Sequence, residues 1–296
     1  MILPDKTCAD TSIDRVAVLD EQQVLVNVMI FKPVKNLAPR HLTAEQIESY
    51  NRQGFVAPLK LFDDEDAQLQ RNYLNGLLRQ FQYAGRDAYE INEYHHCCQG
   101  IYDVVTNPRL LDFVEDLLGP NIVCWGSHYF CKMPHDEREV PYHQDAAYWP
   151  FKPANAVTAW IAIDDVLPEA GPMCYLPGSH LNGRLEWRRR SENVLLELET
   201  KNYQTLADPW PVVLNAGEIS LHTDLLVHGS ASNTSNHRRC GLTIRYVSTD
   251  VWIKSEKNIG WTQSAILCRG EDASGRWPNN PRPDREEFGP KALGVG

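Results

Sequence analysis

The chain has 296 residues and a formal charge of -10 at pH 7, a length that fits one large domain or two small ones. Phosphate backbones select basic faces, so this acidic balance excludes nucleic-acid binding as the main business of the protein. With 43% hydrophobic and 23% charged residues, the composition is that of a globular domain able to bury a core without disulfides or structural metal.

The opening residues contain an apolar run, Val24 to Phe31, that reads as an added edge strand. Helix signals sharpen from Leu42. Thr43 followed by Gln46 is a capping box, Leu42 and Ile47 are placed as a hydrophobic staple, and Gly54 supplies the stop. A second helix begins after Asp63, with Leu69, Tyr73, Leu77 and Leu78 at helical spacing. A third follows Asn107 as cap, with Pro108 at the first helical position. Its Leu110, Leu111, Val114, Leu117 and Leu118 share a face, and Gly119 ends it.

Beyond Gly119 the period changes to alternation. Ile122 to Lys132, Val157 to Val166, Met173 to Leu176, Pro211 to Leu214, Ile219 to Val227 and Gly241 to Val247 read as short strands between turn signals. Helices first and many strands afterwards predict a mainly β fold, a barrel or sandwich buttressed by N-terminal helices. The tail from Arg269 is rich in Pro, Gly, Asn and charge, and reads as loop over 269–296.

No run of about 18 uncharged apolar residues occurs, so no membrane partner is expected. The N-terminus also lacks the basic and apolar regions of a signal peptide. Eight cysteines are scattered without a CxxC, from Cys8 through Cys97, Cys98, Cys124, Cys131, Cys174 and Cys240 to Cys268. The expectation is a reduced, cytoplasmic protein. The one basic cluster, Arg188 to Arg190, sits beside Glu186 and Glu192 and reads as a solvated face. The oligomeric state is not legible.

The chemistry concentrates in Tyr142-His143-Gln144-Asp145. Residues two apart on an extended strand share a face, so His143 and Asp145 can grip one ion. His228, on a later apolar strand, supplies a third ligand. Two histidines and one carboxylate form the facial triad of non-haem Fe(II), which leaves three positions open. A bidentate co-substrate can take two of them and dioxygen the third. Arg239, eleven residues beyond His228, offers a planar fork for the distal carboxylate of a 2-oxo-dicarboxylic acid. Ser230 can donate a further hydrogen bond to that group.

These residues, read as HQD, LVHGSASN and HRRCGLTIRY with TAWIAIDDV and EAGPMCYLPGSH between them, resemble the phytanoyl-CoA dioxygenase family of Fe(II)/2-oxoglutarate oxygenases. The resemblance runs from Leu42 to the C-terminus and treats 1–296 as one domain with residues 1–41 as an extension. It implies a double-stranded β-helix (jelly roll, cupin-like) fold with Fe(II) on His143, Asp145 and His228. It also implies 2-oxoglutarate contacts at Arg239, Ser230, Trp160 and Gln144. Halogenases of similar fold have Gly or Ala where Asp145 stands, so the retained carboxylate favours hydroxylation. Members of the family oxidise many classes of substrate. No basic patch suits a CoA diphosphate, so a small metabolite or natural-product intermediate is expected. Desaturation, cyclisation or epoxidation at the same site, or a cupin-type metalloenzyme without 2-oxoglutarate, stay open as alternatives.

Other polar clusters compete for attention. His222-Thr223-Asp224 is a second H-x-D, but the one downstream histidine, His237, sits in a polar turn, so His222 reads as structural and close to the site. The run His95-His96-Cys97-Cys98 lacks paired metal-ligand spacing and reads as a loop. His180 reads as closing a turn. Arg238 should face away from Arg239, whereas Arg245 should share its face. Tyr148, Trp149, His128 and Arg245 are candidates for the substrate pocket. Trp252, Trp261 and Trp277 read as a lid or as cover for the barrel.

Overall fold

The computed structural model describes residues 29–149, 151–153, 155–253 and 262–287. Helices come first. Helix α1 (Ala44–Gln53) starts at the Thr43–Gln46 capping box and stops at Gly54, whose φ of 90° suits a residue without a Cβ. Leu42 and Ile47 are both buried. Strand β1 (Phe55–Lys60) leads into α2 (Asp64–Tyr83), capped by the Asp63 carboxylate on the Asp66 N–H. Helices α3 (Gln99–Val105) and α4 (Pro108–Leu118) follow, the latter capped by Asn107 with Pro108 in its first turn. Leu110, Leu111, Val114 and Leu117 of α4 are buried, each contributing about 1.5–3 kcal/mol. Asp116, also buried, accepts the backbone N–H groups of Arg40, His41 and Leu42 and so fixes the chain ahead of α1.

The strands that follow are β2 (Ile122–Lys132), β3 (Val140–His143), β4 (Phe151–Lys152), β5 (Ala156–Ala162), β6 (Met173–Tyr175), β7 (Trp187–Arg189), β8 (Leu198–Thr200), β9 (Trp210–Pro211), β10 (Glu218–Thr223), β11 (His228–Ser230), β12 (Arg239–Ser248), β13 (Trp252–Ile253) and β14 (Ile266–Arg269). With β1 they form a six-stranded antiparallel sheet in the order β1-β10-β5-β12-β2-β14, a four-stranded one in the order β3-β11-β6-β9, and two-stranded pairs β4-β13 and β7-β8. This is the jelly-roll core that the family resemblance implies, with helices against one side.

Alternation assigns the two faces of the larger sheet. Val157, Ala159, Ile161, Leu221, Leu242 and Ile244 join the core that includes the helices. Thr158, Trp160, His222, Thr243 and Arg245 point the opposite way, into a pocket between the sheets.

Several expectations need correction. The Val24–Phe31 strand lies largely outside the described residues, and Met29 to Phe31 are not in a strand. Of the run Ile219 to Val227 only the first part is strand, within β10; the chain then turns at Asp224 to Leu226 and enters the other sheet as β11 from His228. Cys131 and Cys240 are joined as a disulfide, where reduced cysteines were expected. They stand 109 residues apart, and the β2–β12 register makes them direct partners, a juxtaposition that no short-range spacing reveals. Cys97, Cys98, Cys124, Cys174 and Cys268 are free. No helix among the described residues is long and apolar enough to cross a membrane. Arg188 and Arg190 pair with Glu199, and Arg190 also with Glu139, on an outer hairpin.

Candidate metal centre

His143 ends β3, and His228 begins β11 as its direct partner across the antiparallel pair. Their rings lie 4.3 Å apart. Asp145 does not continue the strand as the i, i+2 argument assumed. It opens a 3-10 turn, Asp145–Ala147, after an extended Gln144. The carboxylate nevertheless meets both rings, with Oδ1 at 3.6 Å from His143 Nε2 and 3.9 Å from His228 Nε2. One ligand atom from each residue lies within 4.8 Å of the others, and this is the one group of its kind found among the described residues.

The surroundings prepare these side chains to bind a cation. His143 Nδ1 is 2.8 Å from the Pro141 carbonyl oxygen, and His228 Nδ1 is 2.9 Å from that of Leu226. A carbonyl oxygen only accepts, so each Nδ1 carries the hydrogen and each Nε2 turns a lone pair toward Asp145. Thr158 donates its hydroxyl to Asp145 Oδ2 at 3.0 Å. Burial opposes ionisation of Asp145, but the polar neighbours His143, His222 and His228 hold its carboxyl well below the usual range. Burial likewise keeps the His228 imidazole well below its ordinary value, and hence neutral. An ionised carboxylate and neutral imidazoles are the forms a metal ion requires.

The pocket is lined by all three of these residues together with Trp160, Ser230, Arg239 and Arg245. Arg239 is buried, and its Nη2 donates to the Gly171 carbonyl at 2.6 Å and to Ser230 Oγ at 3.3 Å. Its Nε is buried without a partner among the described residues. Burial lowers the guanidinium to about 10, so it stays cationic near neutral pH. Trp160 lies across from it, 5.9 Å from ring centroid to guanidinium carbon. Arg238 points away, its Nε and Nη2 on Asp164 and its Nη1 on Asn75.

Four candidates fall elsewhere. Gln144 is buried away from the pocket: its Nε2 donates to the carbonyls of Gly183 and Leu225, and its Oε1 accepts from Leu185 N–H. Neighbours in an extended chain face opposite ways, which is why the residue between two ligands ties the outside together. Tyr148 lies behind His143, its ring 5.8 Å from the imidazole and its hydroxyl accepting from Leu198 N–H. Trp149 packs with Trp125 and Phe151. His128 is held by the Tyr89 carbonyl at 2.6 Å and packs at a tilt against Phe130, one layer behind the lining.

His222 does line the pocket, with Nδ1 at 2.9 Å from Tyr175 Oη and Nε2 at 3.8 Å from Asp145 Oδ2. His95 is buried against Ser127 Oγ, and His180 reaches the Asn51 carbonyl. Trp277 is buried in the Trp125–Trp149 cluster, Trp252 is exposed, and Trp261 lies outside the described residues.

Some lining residues were not foreseen. Thr158 had a usable signal, standing two before Trp160 on an alternating strand. Leu196 had none. Lys132 was also missed. It is buried beside the site and donates to the Ser230 carbonyl at 3.2 Å and to that of Ala231. Burial and the neighbouring Arg239 lower its ammonium to about 7.

Residues 43–241 match the family described as Phytanoyl-CoA dioxygenase (PhyH). The chain belongs to this family. The human peroxisomal phytanoyl-CoA dioxygenase is 24% identical over 238 residues, covering 71% of this chain and 69% of that protein. L-proline trans-4-hydroxylase of Streptomyces griseoviridis is 26% identical over 226 residues, 67% of this chain and 83% of its own. Among solved structures, the non-heme monooxygenase ThoJ superposes with a TM-score of 0.69 at 26% identity, covering 83% of this chain and 91% of that one. The protein is accordingly an Fe(II)- and 2-oxoglutarate-dependent oxygenase, and the donor set described above fits that ion.

Proposed function

We propose that His143, Asp145 and His228 hold Fe(II), that Arg239 and Ser230 bind the distal carboxylate of 2-oxoglutarate, and that the protein hydroxylates a small molecule. The observation that carries this reading is one pocket holding both halves of the machinery. Two Nε2 lone pairs from facing strands and a carboxylate from the turn after β3 converge, and a buried guanidinium whose Nε has no partner among the described residues shares the same walls.

When bound, the iron with 2-oxoglutarate and dioxygen supplies the oxidising power for C–H hydroxylation, with succinate and carbon dioxide as co-products. The chain's own residues do the rest. The Pro141 and Leu226 carbonyls fix the two imidazole tautomers, and Thr158 fixes the Asp145 carboxylate. Gly171 and Ser230 hold Arg239 so that its planar fork can meet a carboxylate in two parallel hydrogen bonds. Trp160 flanks that subsite with an apolar wall. Val140, Met173, Phe130 and Leu196 give the remaining pocket an apolar lining, which excludes water from the reacting centre.

The hydroxylase name of the proline-acting relative supports hydroxylation. The test is succinate release from 2-oxoglutarate, assayed with and without added Fe(II) and with small-metabolite mixtures. Iron-dependent release that a mixture stimulates, with a product heavier by one oxygen, is expected. Metal-dependent turnover of a mixture with no consumption of 2-oxoglutarate would overturn the proposal.

A further inference from the structure

The strand that bears Arg239 presents a second cation to the same pocket. Arg245 lies six residues further along β12 on the same face, and both line the cavity. Its direct partner on β5 is Thr158, the residue that holds Asp145. Arg245 therefore stands at the level of the metal ligands, whereas the Arg239 guanidinium meets Ser230, two residues along β11 from His228.

Nothing among the described residues uses this guanidinium fully. The side chain is 14% exposed, and its Nε is buried with no partner among them. The nearest anion among the described residues is Glu93, whose Oε1 lies 3.8 Å from Nη1, beyond hydrogen-bond reach. The other Glu93 oxygen accepts from Ser264 Oγ at 2.7 Å. Burial pushes the Glu93 carboxyl up to about 7 against the pull of Arg245, so near neutral pH it compensates the guanidinium only in part.

The surroundings hold the arginine in place. Its guanidinium carbon lies 5.7 Å from the Trp125 ring and 5.3 Å from that of Trp149, contacts that stabilise a cation on an aromatic face. Gly126 is its partner on β2. A Cβ there would stand 2.9 Å from Glu93 Oε1 and 3.4 Å from Arg245 Nη1. Glu93 itself adopts a left-handed backbone, φ 65°, a conformation that costs a non-glycine residue energy.

We propose that Arg245 binds a carboxylate of the substrate, and that the enzyme therefore oxidises small carboxylic acids with an apolar body. This rests on the function proposed above. One guanidinium shared with a partly ionised Glu93 matches a single negative charge. A phosphoryl dianion would call for further cations, and Arg239 is committed to the co-substrate. Phe130, Val140 and Leu196 provide apolar wall for the remainder of the molecule.

The test uses the full chain with Fe(II) and saturating 2-oxoglutarate under anaerobic conditions, following tryptophan emission, because Trp125 and Trp149 flank the arginine. The probes are hexanoate, cyclohexanecarboxylate, their amides and hexyl phosphate. A saturable response to at least one carboxylate and none to its amide is expected. Arg245→Gln should weaken that binding by at least about tenfold and leave 2-oxoglutarate affinity unchanged, which also shows the variant to be folded. Glu93→Gln, which removes the competing carboxylate, should retain or tighten it. Four outcomes would overturn the assignment: no carboxylate response in the wild type, equal binding by Arg245→Gln, tighter binding of hexyl phosphate, or loss of 2-oxoglutarate binding in Arg245→Gln. Failure of the wild type to bind 2-oxoglutarate at all would instead refute the underlying function.

Discussion

Arg239→Ala should cut 2-oxoglutarate affinity by about two orders of magnitude. The guanidinium is buried and anchored through Nη2 to Gly171 and Ser230, and its Nε has no partner among the described residues. A carboxylate meeting it in parallel fashion gains two charge-assisted hydrogen bonds, each worth about 1.5–3 kcal/mol. At the low end the loss is about 3 kcal/mol, or about 10²-fold in Kd. Anaerobic calorimetric titration of the iron-loaded protein with 2-oxoglutarate measures it directly. Arg238→Ala is the control, since Asp164 and Asn75 already occupy that side chain on the far face, and its effect should stay within about twofold. Equal losses in the two variants would refute the reasoning, because the face of β12 would then not decide the anchor.

Three other perturbations follow from the same geometry. Thr158→Val removes the hydroxyl on Asp145 Oδ2, and Fe(II) affinity should drop by about 10- to 100-fold; unchanged metal titrations would contradict this. Gly241→Ala places a Cβ 2.1 Å from the Trp160 ring. The buried indole cannot yield freely, so a loss of about 1–3 kcal/mol is expected by denaturant unfolding, with weakened 2-oxoglutarate binding; a neutral variant would refute it. Burial holds the His128 imidazole down to about 3, from 6.5. The unfolded chain then binds more protons below pH 6.5, so stability is full above that value and falls as pH drops toward 3. By pH 5 this one residue should remove about 2 kcal/mol. His128→Gln should flatten the pH dependence of unfolding free energy over that window, and an unaltered slope would count against it.

Local signals made α1, α2 and α4 legible, whereas α3, whose N-cap Cys98 makes no side-chain capping bond, is not signalled. Thr43 with Gln46, Asp63, and Asn107 with Pro108 each satisfy orphan backbone donors within one turn, so sequence neighbours carry the whole signal. Strand β1 was hidden because Pro58 reads as a breaker. It is tolerated here at the edge of the six-stranded sheet, where the register to β10 is interrupted between Val56 and Leu59. The site was legible where alternation governs it. Arg239 and Arg245 share a face and Arg238 does not, as spacing requires. It was not legible where side chains stop short or turn aside for tertiary reasons. Gln144 is spent on the backbone of Gly183, Leu185 and Leu225, residues brought alongside only by the fold. Trp149 adjoins Arg245 rather than the cavity, since Trp125 and Phe151 claim its ring. Cys131 and Cys240 depended on register across 109 residues.

The central claim is that one iron sits on His143, Asp145 and His228 and takes 2-oxoglutarate beside it. Its most direct test is anaerobic titration of the protein with Fe(II) and then 2-oxoglutarate, following the visible charge-transfer absorbance of the chelate. The account predicts a band that saturates at one iron per chain and is abolished in His143→Ala, Asp145→Ala and His228→Ala. A band that survives unchanged in Asp145→Ala or His228→Ala, or no band in the wild type, would contradict it.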